Sequence, residues 1–213
     1  MRYKAILFDM DGTLLDTLTD MADAVNHILS VHGWPLRTTE EVRAFVGNGA
    51  RRLMERAVPP EVTGGDFEAV LTEYRDWYQA HNCVATAPYP GIPALLAALA
   101  EAGVKTAVVS NKPDATTKTL AARFFPGLPA FGQRDDVPPK PAPDLVFRAL
   151  ETLGVDAAGA VYVGDSEVDV ATARNAGLPL AAVSWGFRGR RALAEAGAAV
   201  IVDTAAELLE VLQ

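Results

Sequence analysis

The sequence contains a single cysteine, Cys83, so no disulfide can form within the chain, and a reducing compartment fits. It has no apolar run of about 18 residues, which argues against a transmembrane helix. The first residues lack a signal-peptide layout, because their apolar run is short and ends in acid. Basic residues are also few: 19 Lys and Arg against 27 Asp and Glu give a net charge of −8. These absences predict a cytoplasmic protein that binds neither nucleic acid nor membrane.

Apolar residues make up 50% of the 213 residues and charged residues 22%, which is ordinary for a globular protein. Five short apolar runs, bounded by polar residues or glycine, are typical of buried parallel strands. They span 4–9, 104–111, 160–165, 179–185 and 198–203. Helical patterns alternate with them at 91–103, 142–154, 167–177 and 190–197. This alternation predicts an α/β fold with a doubly wound, Rossmann-like parallel sheet.

One region interrupts the alternation. Residues 16–84 show amphipathic helical patterns and no convincing strand, which predicts an α-helical cap domain inserted into a core domain of residues 1–15 and 85–213. Such an insert follows the first strand, beside the sheet edge where α/β proteins bind ligands. It is therefore expected either to cover the site as a lid or to be a second helical domain with no gating role.

The stretch "ILFDMDGTLLD" (6–16) ends an apolar run in two aspartates, Asp9 and Asp11, followed by Gly12. Aspartate is depleted in strands, and two carboxylates this close repel each other. The pattern alone leaves two interpretations open. Either a strand ends in an ordinary polar turn, or two carboxylates share a cation and act on a substrate.

Two other predicted strands also end in residues that can take part in chemistry. Ser110, Asn111 and Lys112 end one strand, and "GDSEVD" (164–169) follows another, while Lys140 lies in the loop "VPPKPAPD". Because parallel strands end at the same edge of a sheet, we expect these side chains to gather there. Each also has an ordinary structural interpretation, as a turn residue, a solvated lysine or a helix cap.

A cluster of Asp9, Asp11 and Asp165 needs a counter-charge, and oxygen ligands of this kind suit Mg²⁺. Lys140 and Ser110 opposite the ion would form a phosphate clamp. An aspartate can accept a phosphoryl group, and a second carboxyl can exchange protons with the leaving group and with water. Zinc is not expected, because all the histidines lie in the helical insert: His27, His32 and His81.

These residues resemble the four motifs of the haloacid dehalogenase (HAD) superfamily of phosphatases. "DMDGT" (9–13) is similar to the nucleophile motif, and Ser110 to the hydroxyl residue of the second motif. Lys140 matches the lysine of the third motif, and "GDSEVD" (164–169) matches the acidic fourth. The resemblance covers the whole chain, with 16–84 similar to the family's helical cap.

The resemblance implies a role for each matched residue. Asp9 would be the nucleophile and a Mg²⁺ ligand, and Asp11 the general acid and base, with its backbone carbonyl on the metal. Asp165 would bind the metal, and Asp169 would support its waters. The other matched residues would orient the motif or hold phosphate: Thr13, Ser110, Asn111 and the catalytic Lys140. The presence of Asp11 argues against the dehalogenase branch, which lacks the second aspartate.

Within the superfamily, "FVGNGARRLMERAV" (45–58) and "YPGI" look like phosphoglycolate phosphatases. The resemblance implies hydrolysis of a small phosphorylated metabolite, above all 2-phosphoglycolate, by a monomer or homodimer. The turn Gly47, Asn48, Gly49 would either reach the substrate or only connect two helices. Nearby arginines would either meet a substrate carboxylate or form a solvated helix face: Arg51, Arg52 and Arg56.

Other activities of the same superfamily stay open, namely those of a sugar-phosphate phosphatase, a pyrophosphatase and a phosphomutase. A non-catalytic phosphate-binding module is the alternative from a different class. The intact set of chemistry-bearing residues counts against it: Asp9, Asp11, Lys140 and Asp165.

Overall fold

The computed structural model describes residues 2–213, which form two compact units. One unit comprises residues 2–16 and Pro88–Gln213, and the other comprises Thr17–Ala87. The division lies close to the limits proposed above for the core and the inserted segment, but the role of the inserted segment as a cap stays a prediction. Among the described residues, no helix combines the length and apolar character needed to cross a membrane.

The unit Thr17–Ala87 is built from helices. They are α1 (Leu18–Val31), α2 (Thr39–Phe45), α3 (Gly49–Ala57) and α4 (Gly64–His81). Buried side chains recur at spacings of three and four residues along α1, at Met21, Val25 and Ile28, and this face packs against α4. Helix α2 begins at a capping box, in which Thr38 and Glu41 each accept a hydrogen bond from the other's backbone amide.

Asp20 fastens the first turn of α1 to the end of this helical unit. Its buried carboxylate accepts hydrogen bonds from the backbone amides of Val84, Ala85 and Thr86, and from the Thr86 hydroxyl, at 2.7–3.0 Å. Hydrogen bonds to a charged acceptor are stronger than neutral ones, so this anion is well compensated without a basic partner.

The other unit is an α/β core. Its strands are β1 (Ala5–Phe8), β2 (Leu15–Asp16), β3 (Ala87–Pro88), β4 (Lys105–Pro113), β5 (Ala130–Gln133), β6 (Ala160–Gly164), β7 (Leu180–Val183) and β8 (Ile201–Val202). The short strands β2 and β3 lie where the chain passes between the units. Its helices are α5 (Ile92–Glu101), α6 (Asp114–Phe124), α7 (Asp144–Leu153), α8 (Glu167–Ala176), α9 (Gly189–Glu195) and α10 (Ala205–Leu212).

The main sheet has the order β5-β4-β1-β6-β7-β8, and every pairing in it is parallel. All four residues of β1 are buried, because helices cover both faces of the sheet, and this explains the unbroken apolar run in the sequence. Alternate residues Leu7, Val109 and Tyr162 share one face and pack with side chains of α7. The predicted α/β class and parallel sheet are confirmed.

Several details differ from the predicted elements. Strand β5 was not predicted, because the segment Ala130–Gln133 is short, half-buried and without an apolar pattern. Strand β4 continues beyond Asn111 to Pro113, where it pairs with Gln133 after an irregular register. The placement of β1 between β4 and β6 is the feature that matters for the site, since it makes the predicted chemistry-bearing strand ends direct neighbours.

Candidate active site

The carboxyl ends of β1, β4 and β6 meet at the middle of the sheet. Phe8 pairs with Val108 on one side and with Val163 on the other, and the Asp9 amide donates to the Val163 carbonyl at 2.9 Å. The residues that follow these positions therefore lie next to one another. The structure thus brings together the three predicted strand ends, at the edge where open α/β sheets bind their ligands.

Three of the predicted acids form a buried cluster. Oxygen atoms of Asp9, Asp165 and Asp169 all lie within 4.8 Å of one another. Asp169 reaches the cluster from the first turn of α8, where it also completes a capping box with Ser166. The ordinary interpretation as a helix cap is therefore correct for Ser166, while Asp169 belongs to both the cap and the cluster.

Lys140 is the ammonium at the centre of this cluster. Its Nζ lies 2.9 Å from Asp9 Oδ1, 2.9 Å from Asp169 Oδ1 and 3.0 Å from the Tyr162 hydroxyl. An ammonium has three N–H donors, so these three acceptors match its full capacity. Only 2% of the Lys140 side chain is exposed, which makes it a structural part of the acid cluster and not a solvated lysine.

Burial and neighbouring acids raise the pKa values of Asp9 and Asp165. Burial raises the pKa of Asp9 to about 7, against the lowering effect of Lys140, and the neighbouring Asp169 and Asp11 raise it further. Burial, followed by Asp169 and Asp9, also raises the pKa of Asp165 well above its usual range. Burial lowers the pKa of Lys140, but Asp169 and Asp9 outweigh it, and the net pKa is well above the usual value.

This cluster fits a divalent cation. Its ligand atoms are carboxylate oxygens, which hard cations such as Mg²⁺ and Ca²⁺ prefer, and one ammonium does not balance three carboxylates. A bound divalent cation would supply the missing positive charge and so favour the ionised acids. The donor set alone does not select among hard cations.

Asp11 and Thr13 lie beside the cluster. The Asp11 carboxylate forms an ion pair with Lys112 at 3.2 Å, so its side chain is directed to β4. The Thr13 hydroxyl donates to Asp165 Oδ1 at 3.3 Å, and the buried Ser110 hydroxyl accepts from the Lys112 amide at 3.2 Å. Lys112 is the residue of this group that the sequence interpretation left unassigned, although it directly follows Ser110 and Asn111.

Asn111 has a different environment from the one expected for a phosphate ligand. Its Nδ2 donates to the Lys140 carbonyl at 3.0 Å, and its Oδ1 accepts from the Lys140 amide at 2.8 Å. The turn expected to reach substrate, Gly47, Asn48 and Gly49, lies in the helical unit at the start of α3. Its predicted contact with substrate stays a prediction.

The three arginines of α3 are engaged within the helical unit. Arg51 forms two hydrogen bonds of 2.8 Å with Glu68, and Arg52 forms one of 2.7 Å with Glu55. Arg56 donates to the Phe45 carbonyl at 2.8 Å. These contacts favour the interpretation as a solvated helix face.

Sequence reasoning missed the segment after β7. The Phe187 amide donates to Asp165 Oδ2 at 2.7 Å, and the Trp185 indole donates to the Thr13 carbonyl at 3.1 Å. Gly186 lies between them, and a Cβ there would overlap Asp165 and the Gly12 carbonyl. Gly12 itself has a φ of +82° and faces Asp165 with no room for a side chain. Glycine directly after a predicted strand was the available signal.

Comparison with known proteins assigns this fold and acid cluster to a class of hydrolases. The model of the haloacid dehalogenase-like hydrolases matches residues 6–183. The chain belongs to this family.

Relatives agree on the class of reaction. An N-acetylmuramic acid 6-phosphate phosphatase of Pseudomonas aeruginosa is 36% identical over 100% of this chain and 96% of its own length. A phosphoglycolate phosphatase of Cupriavidus necator is 37% identical over 94% of this chain and 89% of its own. A crystal structure from Lactobacillus delbrueckii subsp. bulgaricus, described as a candidate phosphoglycolate phosphatase, matches 100% of this chain and 99% of its own with a TM-score of 0.94 at 38% identity.

The close packing around Gly186 leads to a prediction. Gly186→Ala should displace Asp165 and lower kcat/KM for p-nitrophenyl phosphate by roughly a hundredfold, because small misplacements in a site are costly. The overlap should also destabilise the fold by about 2 kcal/mol. The matched control is Gly65→Ala, at an exposed helical position with open space around it, which should leave kcat/KM unchanged and should not destabilise the fold. Equal behaviour of the two variants in kinetics and thermal unfolding would contradict the assigned role of Gly186.

Proposed function

We propose that this HAD-family phosphatase is Mg²⁺-dependent and hydrolyses a small phosphomonoester through an aspartyl-phosphate on Asp9. The observation that carries the proposal is the position of Asp9 at the end of the central strand. Its Oδ1 accepts hydrogen bonds from the Met10 amide at 2.7 Å and from Lys140 at 2.9 Å. A carboxylate oriented in this way, beside two further acids, suits a nucleophile that meets a phosphoryl group.

The proposed reaction has two steps. In the first, an Asp9 oxygen forms a bond to phosphorus while the bond to the ester oxygen breaks, and the Asp11 carboxyl gives its proton to that leaving oxygen. In the second, the Asp11 carboxylate takes a proton from water, and the oxygen of that water bonds to phosphorus. The bond between phosphorus and Asp9 breaks, which releases inorganic phosphate and restores both carboxyl groups.

The surrounding residues have supporting roles in this scheme. Lys140 supplies positive charge beside Asp9, and the Ser110 hydroxyl and nearby amides supply hydrogen-bond donors for the phosphoryl oxygens. Asp9, Asp165 and the Asp11 carbonyl would hold Mg²⁺, with Asp169 supporting its waters. When bound, the ion would neutralise negative charge on the phosphoryl group.

We favour 2-phosphoglycolate as the substrate because several relatives carry the name phosphoglycolate phosphatase, at 32–37% identity. A specific observation supports a sugar phosphate as the second candidate: a relative that matches 100% of this chain is named N-acetylmuramic acid 6-phosphate phosphatase. Both compounds carry a carboxylate in addition to phosphate. We further propose that residues of the helical unit determine which of these two substrates is preferred. The candidate residues are Gly47, Asn48 and Gly49.

The nucleophile assignment predicts that Asp9→Asn abolishes turnover, with kcat lowered by roughly a thousandfold or more, because an amide cannot form the phosphoryl intermediate. The fold should be retained, since the change is isosteric. The matched control is Asp156→Asn, at an exposed position of the same unit, which should keep full activity. Steady-state kinetics with p-nitrophenyl phosphate and circular dichroism test both expectations. Turnover at the wild-type rate in Asp9→Asn would exclude Asp9 as the nucleophile.

The substrate assignment predicts that kcat/KM with Mg²⁺ is highest for 2-phosphoglycolate in a phosphate-release assay. The comparison set is N-acetylmuramic acid 6-phosphate, glucose 6-phosphate and pyrophosphate. A higher value for either sugar phosphate would replace our first choice by the sugar-phosphate alternative. Absence of phosphate release from every compound, with an intact fold, would contradict the proposed activity itself.

A further inference from the structure

Two residues bind Lys140 through contacts that have no role in the proposed mechanism. Asn111 binds the main chain of Lys140, and Tyr162 binds its ammonium group. We propose that Asn111 and Tyr162 are positioning residues, which fix the Lys140 ammonium beside Asp9. This inference rests on the proposed function, because it concerns the residue that supplies positive charge to the phosphoryl group.

The Asn111 contact compensates for the sequence of the Lys140 loop. In "VPPKPAPD" prolines lie on both sides of Lys140, and proline has no N–H to fasten a loop by backbone hydrogen bonds. The Asn111 side chain instead binds both polar groups of the Lys140 backbone, at 2.8 Å and 3.0 Å, in a buried setting. A side chain bonded in this way at the end of β4 fixes the position from which the lysine extends.

The Tyr162 contact fixes the other end of the side chain. The Tyr162 hydroxyl donates its one proton to the Val109 carbonyl at 3.1 Å, so it faces Lys140 with a lone pair and can only accept from the ammonium. Tyr162 is fully buried within the core, where close packing limits the positions open to its ring. Since lysine has a flexible four-carbon stem, a fixed acceptor limits where the ammonium can lie.

These contacts fix the direction of the Lys140 ammonium. With one N–H on Tyr162, the other two are directed at Asp9 and Asp169. Tyr162→Phe would leave one ammonium N–H and the Val109 carbonyl without this partner, and the ammonium would then have more than one arrangement. Asn111→Ala would remove the two hydrogen bonds that hold the Lys140 backbone, and the loop that carries Lys140 would be less fixed. We expect both changes to act on catalysis mainly through the position of the Lys140 ammonium.

A double-mutant cycle tests this dependence, because it measures whether one residue acts through another. The variants Tyr162→Phe, Asn111→Ala, Lys140→Met and the two double variants are compared by kcat and KM for p-nitrophenyl phosphate with Mg²⁺. Each positioning variant should lower kcat by roughly tenfold and change KM by less than about twofold. Added to Lys140→Met, either change should lower kcat by less than about twofold.

Where turnover of Lys140→Met is too slow to measure, the same cycle is read from the dissociation constant of orthovanadate by calorimetry. Controls are Tyr74→Phe, which removes another buried hydroxyl, and Asn26→Ala, which removes a matching pair of side-chain bonds to the Arg37 backbone in the helical unit. Both should stay within about twofold of wild type.

Equal losses with and without Lys140 would overturn the inference, since the two residues would then act by general effects on structure. Wild-type kcat in both Tyr162→Phe and Asn111→Ala would overturn it as well. Wild-type kcat in Lys140→Met is a different outcome, because it would contradict the proposed role of Lys140 and with it the inference. A failure limited to the cycle leaves the proposed function intact.

Discussion

Three buried carboxylates share one ammonium in this protein, and the arrangement of the site follows from that imbalance of charge. Burying a charge is costly unless it is paired, and here Lys140 forms ion pairs with Asp9 and Asp169, while Asp165 adds a third acid to the same cluster. Burial, together with the neighbouring acids, raises the pKa values of Asp9 and Asp165 against the lowering effect of Lys140. Such a cluster is poorly suited to stabilise a fold by itself. It is suited to bind a cation, whose positive charge would offset the excess of negative charge.

The fold supplies what this cluster needs. A parallel sheet places the ends of β1, β4 and β6 side by side, and α8 starts where Asp169 can serve the helix and the cluster together. Close approach then depends on the small residues Gly12 and Gly186, which leave space for Asp165. The Phe187 amide adds a donor to that carboxylate at 2.7 Å. The position of the Asp165 carboxylate therefore depends on the backbone, because a side chain at Gly12 or Gly186 would occupy its space.

Sequence alone singled out Asp9, Asp11 and Asp165, because acids at the ends of apolar strands are hard to explain by packing. Lys140 lies in a proline-rich loop and was singled out by the resemblance to the third motif. It did not identify Tyr162, since a tyrosine within an apolar run is indistinguishable from an ordinary core residue. It singled out Asn111 but did not show that the Asn111 side chain faces the Lys140 backbone, because residue type does not reveal which group a side chain contacts. Strand β5 was not predicted for a similar reason. Its sequence "AFGQ" is short and has no apolar periodicity, and it is a strand because it pairs with β4.

The central claim is that the buried acids are assembled to hold a divalent cation. Calorimetric titration of the metal-free protein with Mg²⁺ tests this most directly, together with the unfolding temperature at each concentration. We expect one saturable binding event and a rise in unfolding temperature, both greatly weakened in Asp165→Asn. Absence of binding heat in the wild type, or equal binding by Asp165→Asn, would contradict the account.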